Sequence, residues 1–347
     1  MPDDDSFLSG SSATPTGLLE PADPLAEERD AGPSAPTRRK LGLGGWICAS
    51  WLIFLVLIGI FAPMFTADPI VNERGRVTEA CGKGGGLPLY DPLECRDLDA
   101  KRNQQRGEGR DGEFTHLLGV DSSGRDVFSQ TLHGTRTTLV IAAVSILGAT
   151  ILGGLFGLVS GYFGRKLDLV ITGLFDVMIA FPALILALLV VTFFSPPGDE
   201  SSAGRRVPGI IIALVIVATP ILGRISRAST LAWSQREFVT AARALGAKPF
   251  RIIFRDVLPN VAPAMMSIAM LGVGIVIVTE SGLALLGLGV TGDTMSWGRV
   301  LASGGSDFRA YPHLVFVPSI AIVITICALN FLGDALRQKF DVRESAL

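Results

Sequence analysis

Six runs of apolar residues, at 44–65, 139–159, 169–194, 207–222, 261–288 and 314–332, constrain this chain more than any other feature it has. A helix rises about 1.5 Å per residue and the hydrocarbon core of a bilayer is about 30 Å thick, so roughly 20 such residues cross it once. The runs therefore predict an all-α membrane protein of six transmembrane helices, with both termini on the same side. The fourth run is short, but it continues through Gly223 and Ile225, where Arg224 and Arg227 are placed to snorkel toward the headgroups. Composition agrees: 49% of the 347 residues are hydrophobic and 18% charged, and the mean hydropathy is +0.47, too apolar for a soluble domain of this size. The formal net charge of -2 gives no electrostatic case for a nucleic-acid partner.

Orientation follows from the division of Lys and Arg among the connections. Cations cluster at Arg38, Arg39 and Lys40, at Arg165 and Lys166, through 224–255, and at Arg337, Lys339 and Arg343. That side is expected to be cytoplasmic, and with it both termini. The short opposite connections carry Arg205 and Arg206, then Arg299 and Arg309.

The segment before the first run, 1–43, is rich in Ser, Pro, Gly and Asp without apolar periodicity, as in a disordered cytoplasmic tail. Its Arg38-Arg39 pair is reminiscent of a twin-arginine export signal. The run that follows, however, is longer than the 7 to 15 residues of a signal core, and a retained anchor fits better. After the first span, 66–136 turns polar and Gly-rich and is expected to be an extracytoplasmic insertion. It holds Cys81 and Cys95, which on an oxidising face would close a loop stabilising the fold by about 3 kcal/mol as a disulfide; two free thiols are the alternative. "CGKGGG" lacks the GxxxxGK[ST] spacing of a phosphate loop. The five-helix core is then 137–333, with a cytoplasmic tail at 334–347.

Between the fourth and fifth spans lies "EFVTAARALGAKPFRIIFRDVLPN", 237–260, basic yet patterned as a helix. Phe238, Ala241, Ala242 and Leu245 share one helical face. Gly246 and Pro249 then break the helix: glycine frees the backbone for a turn, and proline disfavours helix at Lys248. A second stripe, Phe250, Ile253, Phe254 and Val257, restarts the pattern. Helix, turn, helix on a membrane surface suits either an anionic lipid face or a groove on a soluble partner.

"TAARALGA" followed by "VLPN" resembles the signature of the membrane subunits of binding-protein-dependent ABC importers: Glu-Ala-Ala, three residues, Gly, nine residues, Ile, one residue, Leu-Pro. Ala241, Ala242, Gly246, Leu258 and Pro259 match at that spacing, while Thr240 replaces the Glu and Asp256 the Ile. "LLGVDSSGRDVFSQTLHGTRTTL", "GLVSGYFGRKLDLV", "DVMIAFPALILAL", "ESGLALLGLGV" with "SWG", and "LNFLGDALRQKFD" resemble, in order, the C-type permease subunit of dipeptide and oligopeptide importers. The resemblance spans nearly 44–343. It implies the type I importer permease fold in a bacterial inner membrane. Thr240, Ala241, Ala242, Arg243, Leu245, Gly246, Ala247, Lys248 and Pro249 would form a coupling helix seated on an ATPase. The chain itself would bind no cofactor, ATP and Mg²⁺ belonging to the ATPase partners. Those partners would be two ABC ATPases, a homologous second permease and an extracytoplasmic peptide-binding protein. The same architecture also serves importers of nickel and other small solutes.

Glu280 is the one clearly intramembrane carboxylate, a costly placement. Two roles fit it: lining the pathway to meet a peptide's amino terminus, or capping a helix break near Ser281-Gly282. Asp168 and Asp176 are expected at the interface. Pro182, Pro220 and Pro318 can kink their helices. His116, His133 and His313 are too scattered for a metal site, and no nucleophile, base and orienting group assemble, so the chain reads as a non-catalytic subunit. A secondary transporter working without an ATPase is the competing class; it predicts mid-membrane ionisable sites and inverted repeats.

Overall fold

The computed structural model describes residues 43–61, 117–121, 125–196, 206–292, 294–305, 308–309 and 311–344. The Cys81–Cys95 pairing, residues 1–42 of the tail and most of the 66–136 insertion lie outside the described residues, while Cys48 and Cys327, within helices, are free thiols. Helices dominate: α1 (Leu43–Phe61), α2 (Val127–Phe163), α3 (Arg165–Ala180), α4 (Ala183–Phe194), α5 (Arg206–Ser234), α6 (Glu237–Ala244), α7 (Pro249–Arg251), α8 (Leu258–Leu285), α9 (Trp297–Gly304) and α10 (His313–Glu344). Five are long and apolar enough to cross a bilayer, and α3 with α4 makes a sixth if the bent pair crosses as one.

The third span departs from the continuous helix expected over 169–194: α3 and α4 meet at 93°. Pro182 supplies the reason. Its ring disfavours helix at the preceding residue, and Phe181 is extended, at φ -83° and ψ 135°. Pro220 and Pro318 stay inside α5 and α10. The fourth and sixth spans are also longer than expected, because α5 and α10 run on past the apolar stretch.

The core of the bundle is the contact between α2 and α5. Gly153, Gly157 and Gly161 recur at every fourth residue of α2 and so share a face. A Cβ on them would stand 2.6 Å from the Thr219 carbonyl oxygen, 2.4 Å from that of Gly223 and 2.8 Å from that of Arg227. Close backbone approach of this kind substitutes for the hydrophobic effect, which lipid does not supply between helices. At one end of the bundle α9 docks across α2: the Trp297 side chain is fully buried, and its indole Nε1 donates to the Thr131 carbonyl (2.9 Å) while its backbone N–H donates to Thr138 Oγ1 (3.0 Å).

Arg224 and Arg227 of α5 each pair with a carboxylate of α3. Arg227 donates from Nε (2.5 Å) and Nη2 (2.6 Å) to the Asp168 carboxylate, which also accepts from Ser160 Oγ at 2.7 Å. Arg224 pairs with Asp176. Both pairs join α5 to α3; Arg224 and Asp176 remain largely exposed (48% and 64%), Arg227 and Asp168 less so (34% and 22%).

Candidate functional site

The element at 237–260 sits at the end of the bundle opposite α9, where α5 ends and α8 begins. The Arg243 guanidinium rests 4.9 Å from the centre of the Tyr162 ring at the end of α2, a cation–π contact that fixes α6 against the bundle. Val239 is fully buried and anchors the helix.

The turn is closed by backbone geometry that only one residue type tolerates well. Gly246 has φ +79°. Its N–H donates to the Arg243 carbonyl (3.0 Å), and the Ala247 N–H reaches back five residues to the Ala242 carbonyl (3.0 Å). These are the two bonds that end a helix through a left-handed glycine, satisfying carbonyls that would otherwise be orphaned. Lys248 is then extended, at φ -68° and ψ 145°, and Pro249 opens the next helical turn, where its missing N–H costs nothing.

The structure turns the apolar stripe outward. Leu245 is 88% exposed, and Phe238 is partly exposed as well; Thr240, Ala241, Arg243, Gly246, Lys248 and Pro249 are exposed, and Ala242 and Ala247 half-buried. The inward anchor is Val239, which lies one position off the stripe read from the sequence, although its i, i+3 spacing to Ala242 was visible. In the second half, Ile252–Val257 forms a π-helical turn that widens the helix and shifts its register. Ile252, Ile253 and Val257 are buried, whereas Phe250 and Phe254 remain exposed and stack, with centroids 6.0 Å apart. Leu258 is half-buried and Pro259 exposed at the start of α8.

Between the two halves lies a concavity of about 380 Å³, lined by Ala242, Leu245, Gly246, Ala247, Arg251, Arg255 and Asp256. The surface therefore combines exposed leucine and phenylalanine side chains with a cationic hollow on a rigid turn. Within this chain, that face carries exposed apolar side chains beside cations rather than burying them.

Glu280 lies far from this surface. It is 1% exposed, and its Oε1 accepts from Ser296 Oγ at 2.7 Å. Ser296 in turn caps α9, accepting from the Arg299 backbone N–H (3.1 Å). α8 continues unbroken past Ser281 and Gly282 to Leu285, so there is no break there to cap. Its side chain is buried against the start of α9, and the bond from Ser296 ties α9 to α8. A Cβ at Gly298 would stand 2.9 Å from Oε2, which explains the glycine after Trp297. Glu280→Ala is expected to loosen α9 and cost about 2 to 3 kcal/mol by leaving Ser296 unpaired over a cavity, whereas Glu280→Gln, which keeps the acceptor oxygen, should lose much less. Thermal unfolding of the purified subunit checks the pair; equal losses in both variants would contradict the pinning role.

Solved structures place the architecture. A chain from a structure of inward-facing conformations of the MetNI methionine ABC transporter superposes with a TM-score of 0.51 at 19% identity, covering 61% of this chain and 97% of that one. At that identity the likeness concerns the fold. Among curated proteins, the dipeptide transport system permease protein DppC of Alkalihalophilus pseudofirmus is 33% identical over 256 residues, 74% of this chain and 81% of its own length. The glutathione transport system permease protein GsiD of Pectobacterium atrosepticum is 35% identical over 226 residues, 65% and 72% of the two chains. The di/tripeptide transport system permease protein DppC of Pseudomonas aeruginosa is 34% identical over 230 residues, 66% and 73%. Residues 153–345, which include α6, the glycine turn and the hollow beside it, match the family of binding-protein-dependent transport system inner membrane components. A multi-pass helical bundle with an outward-facing turn, similar along most of its length to such permeases, is a member of that family: this chain is an inner-membrane component of a binding-protein-dependent transport system.

Proposed function

We propose that the chain forms half of the translocation pathway of an ATP-driven importer of dipeptides and short oligopeptides, and that α6 with the turn through Pro249 is its coupling element. It is seated on an ABC ATPase subunit that binds ATP and Mg²⁺. A second permease completes the pathway, and an extracytoplasmic binding protein delivers the peptide. The assembled complex hydrolyses ATP; this chain does not. The observation that carries the reading is the exposed, glycine-closed turn bearing Leu245 beside a cationic hollow, at the spacing shared with importer permeases. Exposed apolar side chains on a rigid element favour a protein partner, because little ordering entropy is lost on docking. The cargo rests on the names of the relatives, which transport dipeptides and glutathione.

The test is purification of the chain with its associated subunits, reconstitution into liposomes, and measurement of ATP-dependent uptake of labelled dialanine and labelled glutathione in the presence of the binding protein. Uptake of either with ATP hydrolysis is the expected result. An assembly without an ATPase would overturn the coupling role, and an active complex that takes up neither peptide would overturn the cargo. If α6 instead binds anionic lipid, the ATPase will not co-purify and membrane association will depend on lipid charge.

A further inference from the structure

α3 is held in an unusual way. It begins at two consecutive residues of positive φ, Gly164 (+59°) and Arg165 (+49°), and ends at the 93° break before Pro182. Between these two articulations it rests on α2 and α5, while Leu169, Val170, Leu174 and Val177 remain exposed. Phe175 is the one α3 residue buried to 2%, and it fills the hollow left by a glycine of α5: a Cβ at Gly223 would stand 2.4 Å from Phe175 Cε2 and 2.5 Å from Cζ. The Phe156 ring meets Phe175 edge-on, with centroids 6.4 Å apart. Ion pairs flank the socket. Asp168, one side, is held by two bonds from Arg227 and one from Ser160; Asp176, the other side, pairs with Arg224. The order is antiparallel: the earlier carboxylate on α3 meets the later arginine on α5.

α5 runs from this joint to Ser234 and passes into α6 within two residues. Resting on the coupling role proposed above, we infer that the α3–α5 joint passes movement of the coupling element to the broken span, making Asp168, Phe175, Gly223 and Arg227 positioning residues of transport. The physical ground is the mismatch in constraint. α3 is articulated at both ends and apolar on its free face, so its most directional attachments are the charged bonds and the knob on α5. When α5 tilts with α6, these contacts carry α3 along, and α4 with it across the Pro182 break. Parting α3 from α5 breaks both charged bonds from Arg227 to Asp168 together, and their paired geometry makes the attachment directional.

The experiment uses the complete complex in liposomes and reads peptide uptake per ATP hydrolysed. Asp168→Asn removes the charge and keeps the shape. It is expected to leave ATPase co-purification intact and to lower the uptake-to-hydrolysis ratio about tenfold, the equilibrium factor for losing a charged hydrogen bond. Gly223→Ala, which drives a methyl into the Phe175 ring, should lower the ratio similarly, and Gly223→Ala with Phe175→Leu should restore it to within about threefold by giving the methyl room. If both single variants reduce uptake only in proportion to folded complex, with the ratio unchanged, the joint is merely structural and the inference fails. The same holds if the double variant stays as uncoupled as Gly223→Ala. Failure of the coupling role itself looks different: the wild-type chain then co-purifies with no ATPase.

Discussion

Gly157→Leu is expected to abolish accumulation of the folded subunit. A Cβ at this position would already stand 2.4 Å from the Gly223 carbonyl oxygen, 2.5 Å from Ser226 Cβ and 2.8 Å from the Arg227 backbone nitrogen. These are mainly backbone atoms, so no rotamer change relieves the contact, and α5 must move away from α2 along its length. Overpacking of this kind typically costs 1 to 3 kcal/mol where neighbours give way, and we expect about 3 kcal/mol or more here. Separating the two helices would also break the bond from Ser226 Oγ to the Gly154 carbonyl, now 2.9 Å. A control separates contact from glycine chemistry: a Cβ at Gly173 meets nothing within 4 Å, so Gly173→Leu should accumulate normally. Membrane abundance and size-exclusion profile in detergent decide the matter. A Gly157→Leu subunit as abundant and as monodisperse as the wild type would show that α2 and α5 are not held by close backbone approach.

Gly246→Trp produces the second large effect, of the opposite kind. No atom lies within 4 Å of a Cβ at Gly246, so the subunit has room for the ring. The φ of +79° imposes a strain of about 1 to 2 kcal/mol on any L-residue, confined to a surface turn. The folded subunit should therefore survive, with unfolding only slightly earlier. The ring, however, projects into the surface we assign to the ATPase, beside Leu245. For a residue central to an interface the loss is about 2 kcal/mol or more, a factor of about 30. Transport should fall by at least that factor while membrane abundance stays near normal. Leu245→Ala, which introduces no strain, should weaken ATPase retention through lost apolar contact alone. Normal peptide-stimulated hydrolysis and uptake in Gly246→Trp would remove the turn from the coupling interface.

Much of the architecture was readable along the chain. Crossing a bilayer demands a local run of apolar residues and a helix to satisfy its own backbone, and both requirements are written in contiguous sequence. The same holds for the glycine turn, since a left-handed residue followed by proline is a local stereochemical event. Even the break in the third span had its local signal in Pro182, although the sequence did not say that Pro182 would split its helix while Pro220 and Pro318 would not.

What escaped were relations between segments distant in the chain. The side chains of Asp168 and Arg227 lie 59 residues apart in sequence, and the glycine stripe of α2 has meaning only once α5 lies on it. Glu280 read as a pathway or break residue because its partner Ser296 belongs to a helix that folds back over α8. The outward turn of the Leu245 stripe depends on Val239 reaching the bundle first, and on the π-helical turn resetting the register after Pro249. The sequence by itself determined that the chain crosses a membrane repeatedly, roughly where, and that a bent basic element lies between the fourth and fifth spans. Tertiary structure alone decided which charges pair, which glycines serve as contact and which face of that element is left for a partner. Hydrophobic length and backbone stereochemistry are local properties, whereas an ion pair or a glycine contact exists only when two distant helices present matching faces at the same depth.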